Sequence, residues 1–211
     1  MPATNDPLVT AAAIANVVLM AFGTGWYAII AYREKNTPSP TTWLLFFLAT
    51  TLSLITYTNG ENHNLIANIG NVSDPLTTGA ALIVVIKMSR WNDWKEKKDL
   101  VVLLCLLATA VIFLFWVKTS EHDAANLAAQ SIISIAYVPT LRKVWKSDKD
   151  GEPLRAWGML WLGCAASAYP AFASNGNLFS RVYAIRAIVS VGSLIAVILI
   201  ARHRAKLKRA C

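Results

Sequence analysis

Long apolar runs recur along the 211-residue chain and are separated by short polar connections. Each run reaches about 20 residues, the length that an α-helix needs to cross a hydrocarbon core about 30 Å thick. Because 55% of the residues are hydrophobic and only 15% are charged, the composition does not fit a water-soluble domain. We therefore predict an all-α integral membrane protein with seven transmembrane helices, at residues 9–32, 41–58, 64–88, 99–117, 124–145, 155–174 and 178–201.

The formal net charge is +8, and most of the 20 Lys and Arg residues lie in three connections and in the C-terminal tail. These segments follow the first, third, fifth and seventh predicted helices, so they all lie on one side of the membrane. Short loops rich in Lys and Arg stay in the cytoplasm, so the charge indicates membrane orientation and not nucleic-acid binding. We predict a multi-pass protein of the plasma or inner membrane, with its N-terminus outside and its C-terminus in the cytoplasm.

The last three predicted helices repeat features of the first three. Asn16 matches Gln130 and Trp43 matches Trp157, both at an offset of 114 residues. Two three-helix units can run parallel only if a single helix joins them, and the fourth helix fills that place. We therefore predict a 3+1+3 arrangement of two parallel repeats, which is one plan found in carriers. Residues 1–90 form the first repeat, 91–120 contain the linker helix, and 121–211 form the second repeat with its basic tail.

Polar and charged residues share one face on each of two predicted helices. Ionisable groups are costly in lipid, so both faces should point into the bundle or into a water-filled cavity. When the repeats are aligned, Asp74 and Arg186 lie at nearly equal depth, close to the membrane midplane. At helical spacings of three and four residues, the faces comprise Asn64, Asn68, Asn71, Asp74 and Thr78 on the third helix and Tyr183, Arg186, Ser190 and Ser193 on the seventh.

We hypothesise that Asp74 and Arg186 face each other at a central solute site and that Asp74 can couple transport to protons. Two alternatives stay open. The pair could be a structural ion pair that fixes the register of the helices, and Asn16 and Gln130 could be hydrogen-bonding glue between helices. The predicted substrate-binding residues are Asn16, Asn68, Asn71, Asp74, Gln130, Tyr183, Arg186 and Ser190.

The fifth predicted helix ends in Tyr137-Val138-Pro139-Thr140, followed by Lys146-Ser147 and Gly151. With the 3+1+3 layout and the external N-terminus, this segment resembles the PQ-loop superfamily. That superfamily includes the SWEET and SemiSWEET sugar transporters, lysosomal amino-acid exporters and the KDEL receptor. The resemblance implies alternating access, with hinges at Pro139 in one repeat and at Gly23 and Gly25 in the other. It also implies an asparagine in the site, for which Asn71 is the nearest candidate.

These features favour a small-solute transporter for a sugar, an amino acid or a similar polar metabolite. The alternative is a non-transporting receptor or sorting factor on the same fold, which would hold a peptide end with Arg186. An enzyme is disfavoured, because no second catalytic carboxylate or nucleophile accompanies Asp74 and Arg186 within the apolar runs. We predict no cofactor and no metal site. The predicted partners are the lipid bilayer, a small polar solute and, through Asp74, protons; a monomer suffices, and an oligomer is compatible with the layout.

Overall fold

The computed structural model describes residues 6–34, 40–60, 63–88, 100–146, 152–174 and 176–210. Every regular element in these ranges is an α-helix, so the all-α prediction is confirmed for the described part of the chain. The helices are α1 (Pro7–Glu34), α2 (Pro40–Asn59), α3 (Ile69–Met88), α4 (Leu100–Thr119), α5 (His122–Lys146), α6 (Leu154–Ala173) and α7 (Leu178–Ala210).

The surface of this bundle is more apolar than that of a soluble protein, and several polar side chains are buried inside it. Large apolar side chains such as Phe22, Leu76 and Leu107 are exposed, whereas the polar side chains of Asn16 and Ser53 are fully buried. All described helices except α6 are long and apolar enough to cross a membrane. Helix α6 has a similar length, but its arginine, two tryptophans, tyrosine and proline lower its mean hydropathy. The prediction of a multi-pass helical membrane protein is therefore confirmed for six helices by length and composition, and membrane crossing by α6 stays a prediction.

Two helix ends differ from the predicted ones by more than two residues. Helix α3 begins at Ile69 instead of residue 64. Asn64 caps the preceding turn instead, because its Oδ1 accepts hydrogen bonds from the backbone N–H groups of Ile66 and Ala67, both at 3.1 Å. The prediction that Asn64 and Asn68 belong to the helix is therefore wrong. Helix α7 continues to Ala210, so the segment predicted as a basic tail is helical.

Within α1–α3, and again within α5–α7, the last helix packs against the other two. Helix α3 contacts α1 and α2, and α7 contacts α5 and α6. The two groups meet where α1 packs on α6 and where α2 packs on α5. Helix α4 lies outside, against α2 and α5, and most of its apolar surface is exposed. The six other helices therefore surround a common centre.

Aromatic contacts define one end of the bundle, where α1 and α5 finish and α2 and α6 begin. The ring centres of Tyr27 and Trp43 are 5.3 Å apart, and those of Tyr137 and Trp157 are 6.4 Å apart. Lys143 is among the basic residues near this end, and we call it the basic end.

The interface between α1 and α6 depends on a close approach at Gly23. A Cβ atom at this position would lie 2.9 Å from Leu160 Cγ and 3.1 Å from the Leu160 backbone nitrogen. A Cβ atom at Gly25 would have nothing within 4 Å. Helices α1 and α5 run without interruption through the predicted hinge residues Gly23, Gly25 and Pro139. Hinge motion at these positions stays a prediction.

The different surroundings of the two glycines predict different effects on stability. Gly23→Ala should lower the free energy of unfolding by about 1–3 kcal/mol, because α6 must shift to admit the methyl group. Gly25→Ala is the matched control on the same helix and should leave stability unchanged or slightly raised, since alanine favours the helix. Thermal unfolding in detergent measures both. Equal melting temperatures for the two variants would contradict the close packing of α1 on α6.

Candidate functional site

An aspartate on α3 and an arginine on α7 meet inside the helix bundle. Arg186 Nη2 lies 3.7 Å from Asp74 Oδ2, and the two side chains are 9% and 14% exposed, respectively. The Tyr183 hydroxyl donates a hydrogen bond to the same carboxylate oxygen. Tyr183 and Arg186 share one face of α7, so the guanidinium carbon also lies 4.5 Å from the centre of the Tyr183 ring. Each buried charge is thus compensated by its neighbours.

A chain of hydrogen bonds connects this ion pair to α2 and α5. Arg186 Nε donates to Gln130 Oε1 at 2.9 Å, and Gln130 Nε2 donates to Ser53 Oγ at 2.6 Å. The Ser53 hydroxyl in turn donates to Asn71 Oδ1 at 3.0 Å. Asn126 Nδ2 adds a bond to the Ser53 carbonyl at 2.7 Å. Ser53 therefore links α2, α3 and α5 at one point.

Ser53 and Asn126 are not among the predicted site residues. Thr50, Ser53 and Thr56 recur at intervals of three along α2, and all three are buried. This spacing is the sequence signal that could have identified Ser53. The signal is weak, because hydroxyl groups in membrane helices usually bond to their own backbone. The Thr50 and Thr56 hydroxyls do so, at 2.8 Å from the carbonyls of Phe46 and Leu52.

A cavity of about 50 Å³ extends from the ion pair toward the basic end. Side chains from every helix except α4 line it. A cavity of this size has room for a few water molecules. Its polar wall includes Asp74, Thr77, Thr78 and Arg186, and its aromatic wall consists of Trp43, Phe46, Tyr137 and Trp157.

Six of the eight predicted substrate-binding residues do not line this cavity in the described part of the chain. Three of them, Asn71, Gln130 and Tyr183, belong to the hydrogen-bonded network around the ion pair. The other three lie elsewhere. Asn16 Nδ2 donates to the Gly163 carbonyl and Asn16 Oδ1 accepts from the Ser73 hydroxyl, both at 2.9 Å. Asn16 therefore joins α1, α3 and α6, as the glue alternative describes. Ser190 is half-buried on α7. Asn68 is 2% exposed, and its amide has no hydrogen-bond partner among the described residues.

The ion pair lies in the half of α3 that is farther from the basic end. Asp74 lies in the second turn of α3, because this helix begins at Ile69. Along the helix it is about as far from Ile69 as from the middle of α3, and the predicted depth close to the membrane midplane stays a prediction. The cavity fills the longer distance between the pair and the basic end.

Within the described residues, no group of three or more His, Cys, Asp or Glu side chains could hold a metal ion. No protein-family model, curated protein or solved structure matches the chain. The resemblance to the PQ-loop superfamily thus stays a prediction. Of its motif residues, Pro139 and Lys146 lie in α5, whereas Ser147 and Gly151 lie outside the described residues.

The shared contacts of Ser53 predict that its hydroxyl stabilises the bundle. Ser53→Ala should lower the free energy of unfolding by about 1–2 kcal/mol, because Gln130 loses an acceptor and Asn71 loses a donor. Thr51→Val is the matched control on the same helix. The Thr51 hydroxyl is buried with no hydrogen-bond partner in the described ranges, so its removal should not destabilise the protein. Chemical or thermal unfolding in detergent distinguishes the two; a neutral Ser53→Ala variant would contradict the network.

Proposed function

We propose that the protein is a carrier that moves a small polar solute across a membrane by alternating access around Asp74 and Arg186. The proposal rests on the surroundings of one atom, Arg186 Nη2. This atom is buried and has no hydrogen-bond partner among the described residues, while Arg186 lines the central cavity. A buried donor without an acceptor is costly. A carboxylate, hydroxyl or carbonyl of a solute would supply the acceptor, and Asp74 would accept a hydrogen bond from a hydroxyl or ammonium group of the solute.

The same proposal assigns the helices to a 3+1+3 arrangement. Helices α1–α3 form one unit, α5–α7 form the other, and α4 connects them. The packing pattern supports this assignment, because exchanging α1 with α5, α2 with α6 and α3 with α7 converts the α1–α6 contact into the α5–α2 contact. Two units related in this way can rock about a site between α3 and α7. Pro139, Gly23 and Gly25 are the proposed hinges.

The proposed solute is a sugar, an amino acid or a similar polar metabolite. The cavity of about 50 Å³ is too small for such molecules. We therefore assign the described conformation to a contracted state of the proposed transport cycle, in which the cavity is too small for the solute. Solute entry then requires the two units to separate at one end. Asp74 is the candidate for proton coupling, because it is the carboxylate of the pair.

Two other functions predict different behaviour of the same residues. In a membrane receptor, the vacant Arg186 donor would hold the carboxylate of a peptide end without transport. If the pair is purely structural, the hydrogen bonds from Tyr183 to Asp74 and from Arg186 to Gln130 would be enough to compensate the burial of both charges. Saturable flux of a solute into proteoliposomes separates a carrier from both alternatives.

Removing both charges at once tests whether the pair binds solute. Asp74→Asn alone leaves a guanidinium that cannot lose its proton, and we expect it to cost about 3–5 kcal/mol of stability. Arg186→Gln alone should cost less, because the carboxyl left behind can take up a proton. The double variant buries no charge and should approach wild-type stability. It should nonetheless lose solute-induced thermal stabilisation and saturable uptake.

The solute is found with a thermal-shift panel of monosaccharides, amino acids and dipeptides on the wild-type protein, since a ligand stabilises the native state by mass action. Ser190→Ala is the matched control, because Ser190 lies on the same helix as Arg186 but does not line the cavity in the described part of the chain. It should keep binding and uptake. A double variant that folds and retains wild-type uptake would show that the pair is structural.

The proposed orientation places the basic end and the C-terminus in the cytoplasm. Cys211 is the last residue and can report this when Cys105 and Cys164, the other two cysteines, are replaced by alanine. A membrane-impermeant maleimide should label Cys211 in inside-out vesicles and not in intact cells. Labelling in intact cells would reverse the orientation inferred from the basic segments.

A further inference from the structure

We propose that Glu152 is a positioning residue that holds the Trp157 indole in place and so keeps the central cavity closed at the basic end. This inference concerns how one end of the cavity is gated and goes beyond the proposed solute site. Glu152 lies immediately before α6, in a connection where a carboxylate would ordinarily be solvated. Its side chain is instead buried, with the residue 8% exposed.

Five aromatic rings lie together at the basic end, and all of them except Tyr27 line the cavity. Their centres form a complete cycle, with neighbouring distances of 5.3, 6.0, 4.9, 6.4 and 5.7 Å in the order Tyr27, Trp43, Phe46, Tyr137, Trp157 and back to Tyr27. The contacts are tilted or edge-on, as stable aromatic pairs prefer. The rings come from α1, α2, α5 and α6, on both sides of the interface between the helix groups. Separation of these groups at the basic end must break the contacts of Tyr27 with Trp157 and of Phe46 with Tyr137.

Glu152 contacts three helices behind this layer. Its Oε2 accepts a hydrogen bond from Trp157 Nε1 at 3.2 Å, and its Oε1 lies 3.6 Å from Lys143 Nζ on α5. Its backbone carbonyl accepts a bond from Arg202 Nη2 on α7 at 3.2 Å. Trp157 is thus fixed through its indole N–H on one side, and its ring lines the cavity on the other. Loss of the acceptor would free the ring that links the cycle to both Tyr27 and Tyr137.

The burial of Glu152 also makes opening of this aromatic layer, the proposed gate, depend on pH. Burial raises the pKa of this carboxyl above its usual range, and Lys143 and the Trp157 N–H oppose part of the increase. The charged or titratable groups around it are Lys143 on α5, Arg202 on α7 and the Tyr27 phenol on α1. When the rings separate, water reaches the carboxyl and its pKa falls back toward the usual value. The proton is therefore bound more tightly in the closed state, so acid favours closure and ionisation at higher pH favours opening.

Cys164 is a native reporter for the cavity behind the gate, because it lines the cavity and is buried. Cys105→Ala and Cys211→Ser make it the single thiol of the chain. The rate at which a small methanethiosulfonate reagent modifies Cys164 in lipid nanodiscs measures opening and requires no solute. Failure of the carrier proposal therefore leaves this test intact, and failure of this test leaves the carrier proposal intact.

We expect Glu152→Ala to raise the modification rate about tenfold, as loss of one buried hydrogen bond implies. Glu152→Gln is the matched control and should not raise the rate, because its amide oxygen still accepts from Trp157 and carries no charge to bury. Trp157→Phe keeps a packed ring without the N–H and should raise the rate by itself. Adding Glu152→Ala to it should have little further effect, because Glu152 acts through that N–H.

The pH dependence is measured as the ratio of the rates of the protein with Glu152 and the Glu152→Gln variant at each pH, which cancels the ionisation of the thiol. This ratio should rise with pH through the titration of Glu152. An unchanged rate in Glu152→Ala, or equal increases in the alanine and glutamine variants, would overturn the proposal. If Glu152→Ala does not fold, Trp157→Phe decides, since an unchanged rate in that variant overturns the proposal equally.

Discussion

Arg186 brings a permanent positive charge into the interior of an apolar bundle, and the surrounding helices are arranged to compensate it. A guanidinium keeps its proton in proteins, so Asp74, the Tyr183 ring and the Gln130 carbonyl must all be within reach. Meeting this requirement brings α3 and α7 together at the centre of the bundle. Gly70 shows how close the helices must be, because a Cβ atom there would lie 2.7 Å from Tyr183 Cε1. The ion pair and the packing of α3 on α7 are therefore one constraint.

The two ends of the bundle are closed by different kinds of contact. At the basic end, five aromatic rings pack against one another in tilted or edge-on contacts. At the opposite end, the Tyr57 hydroxyl bonds to the Asn64 backbone, and Asn64 Nδ2 donates to the Ser174 carbonyl at 3.3 Å. The latter bond connects the segment before α3 to the end of α6, across the interface between the helix groups. Each of these hydrogen bonds can break singly, whereas separation of the ring layer must break the contacts of Tyr27 with Trp157 and of Phe46 with Tyr137. The two ends should therefore open under different conditions.

Much of the fold follows from local sequence signals, and the errors have physical causes. Charges within apolar runs, at helical spacing from other polar residues, are rare enough to identify Asp74 and Arg186. The start of α3 is not predictable from that spacing, because Asn64 fits a polar helix face as well as a helix cap. Ser53 is missed because a serine in a membrane helix usually bonds to its own backbone. Glu152 is missed because burial of a carboxylate in a connection depends on how α5 and α7 pack around it, and Arg202 on α7 is 50 residues away in sequence.

The ion pair can be structural and functional at once, because only one of its two partners can become neutral. Asp74 can become neutral by taking up a proton, whereas Arg186 cannot lose its charge. Protonation of Asp74 would leave the guanidinium with Gln130 and the Tyr183 ring, neither of which carries a negative charge. An anionic group of a solute could then take the place of the carboxylate, and by linkage each of the two events would favour the other. In the proposed carrier, the contact between α3 and α7 would thus be the contact that a solute and a proton jointly replace. A structural role of the pair is therefore compatible with the proposed proton coupling.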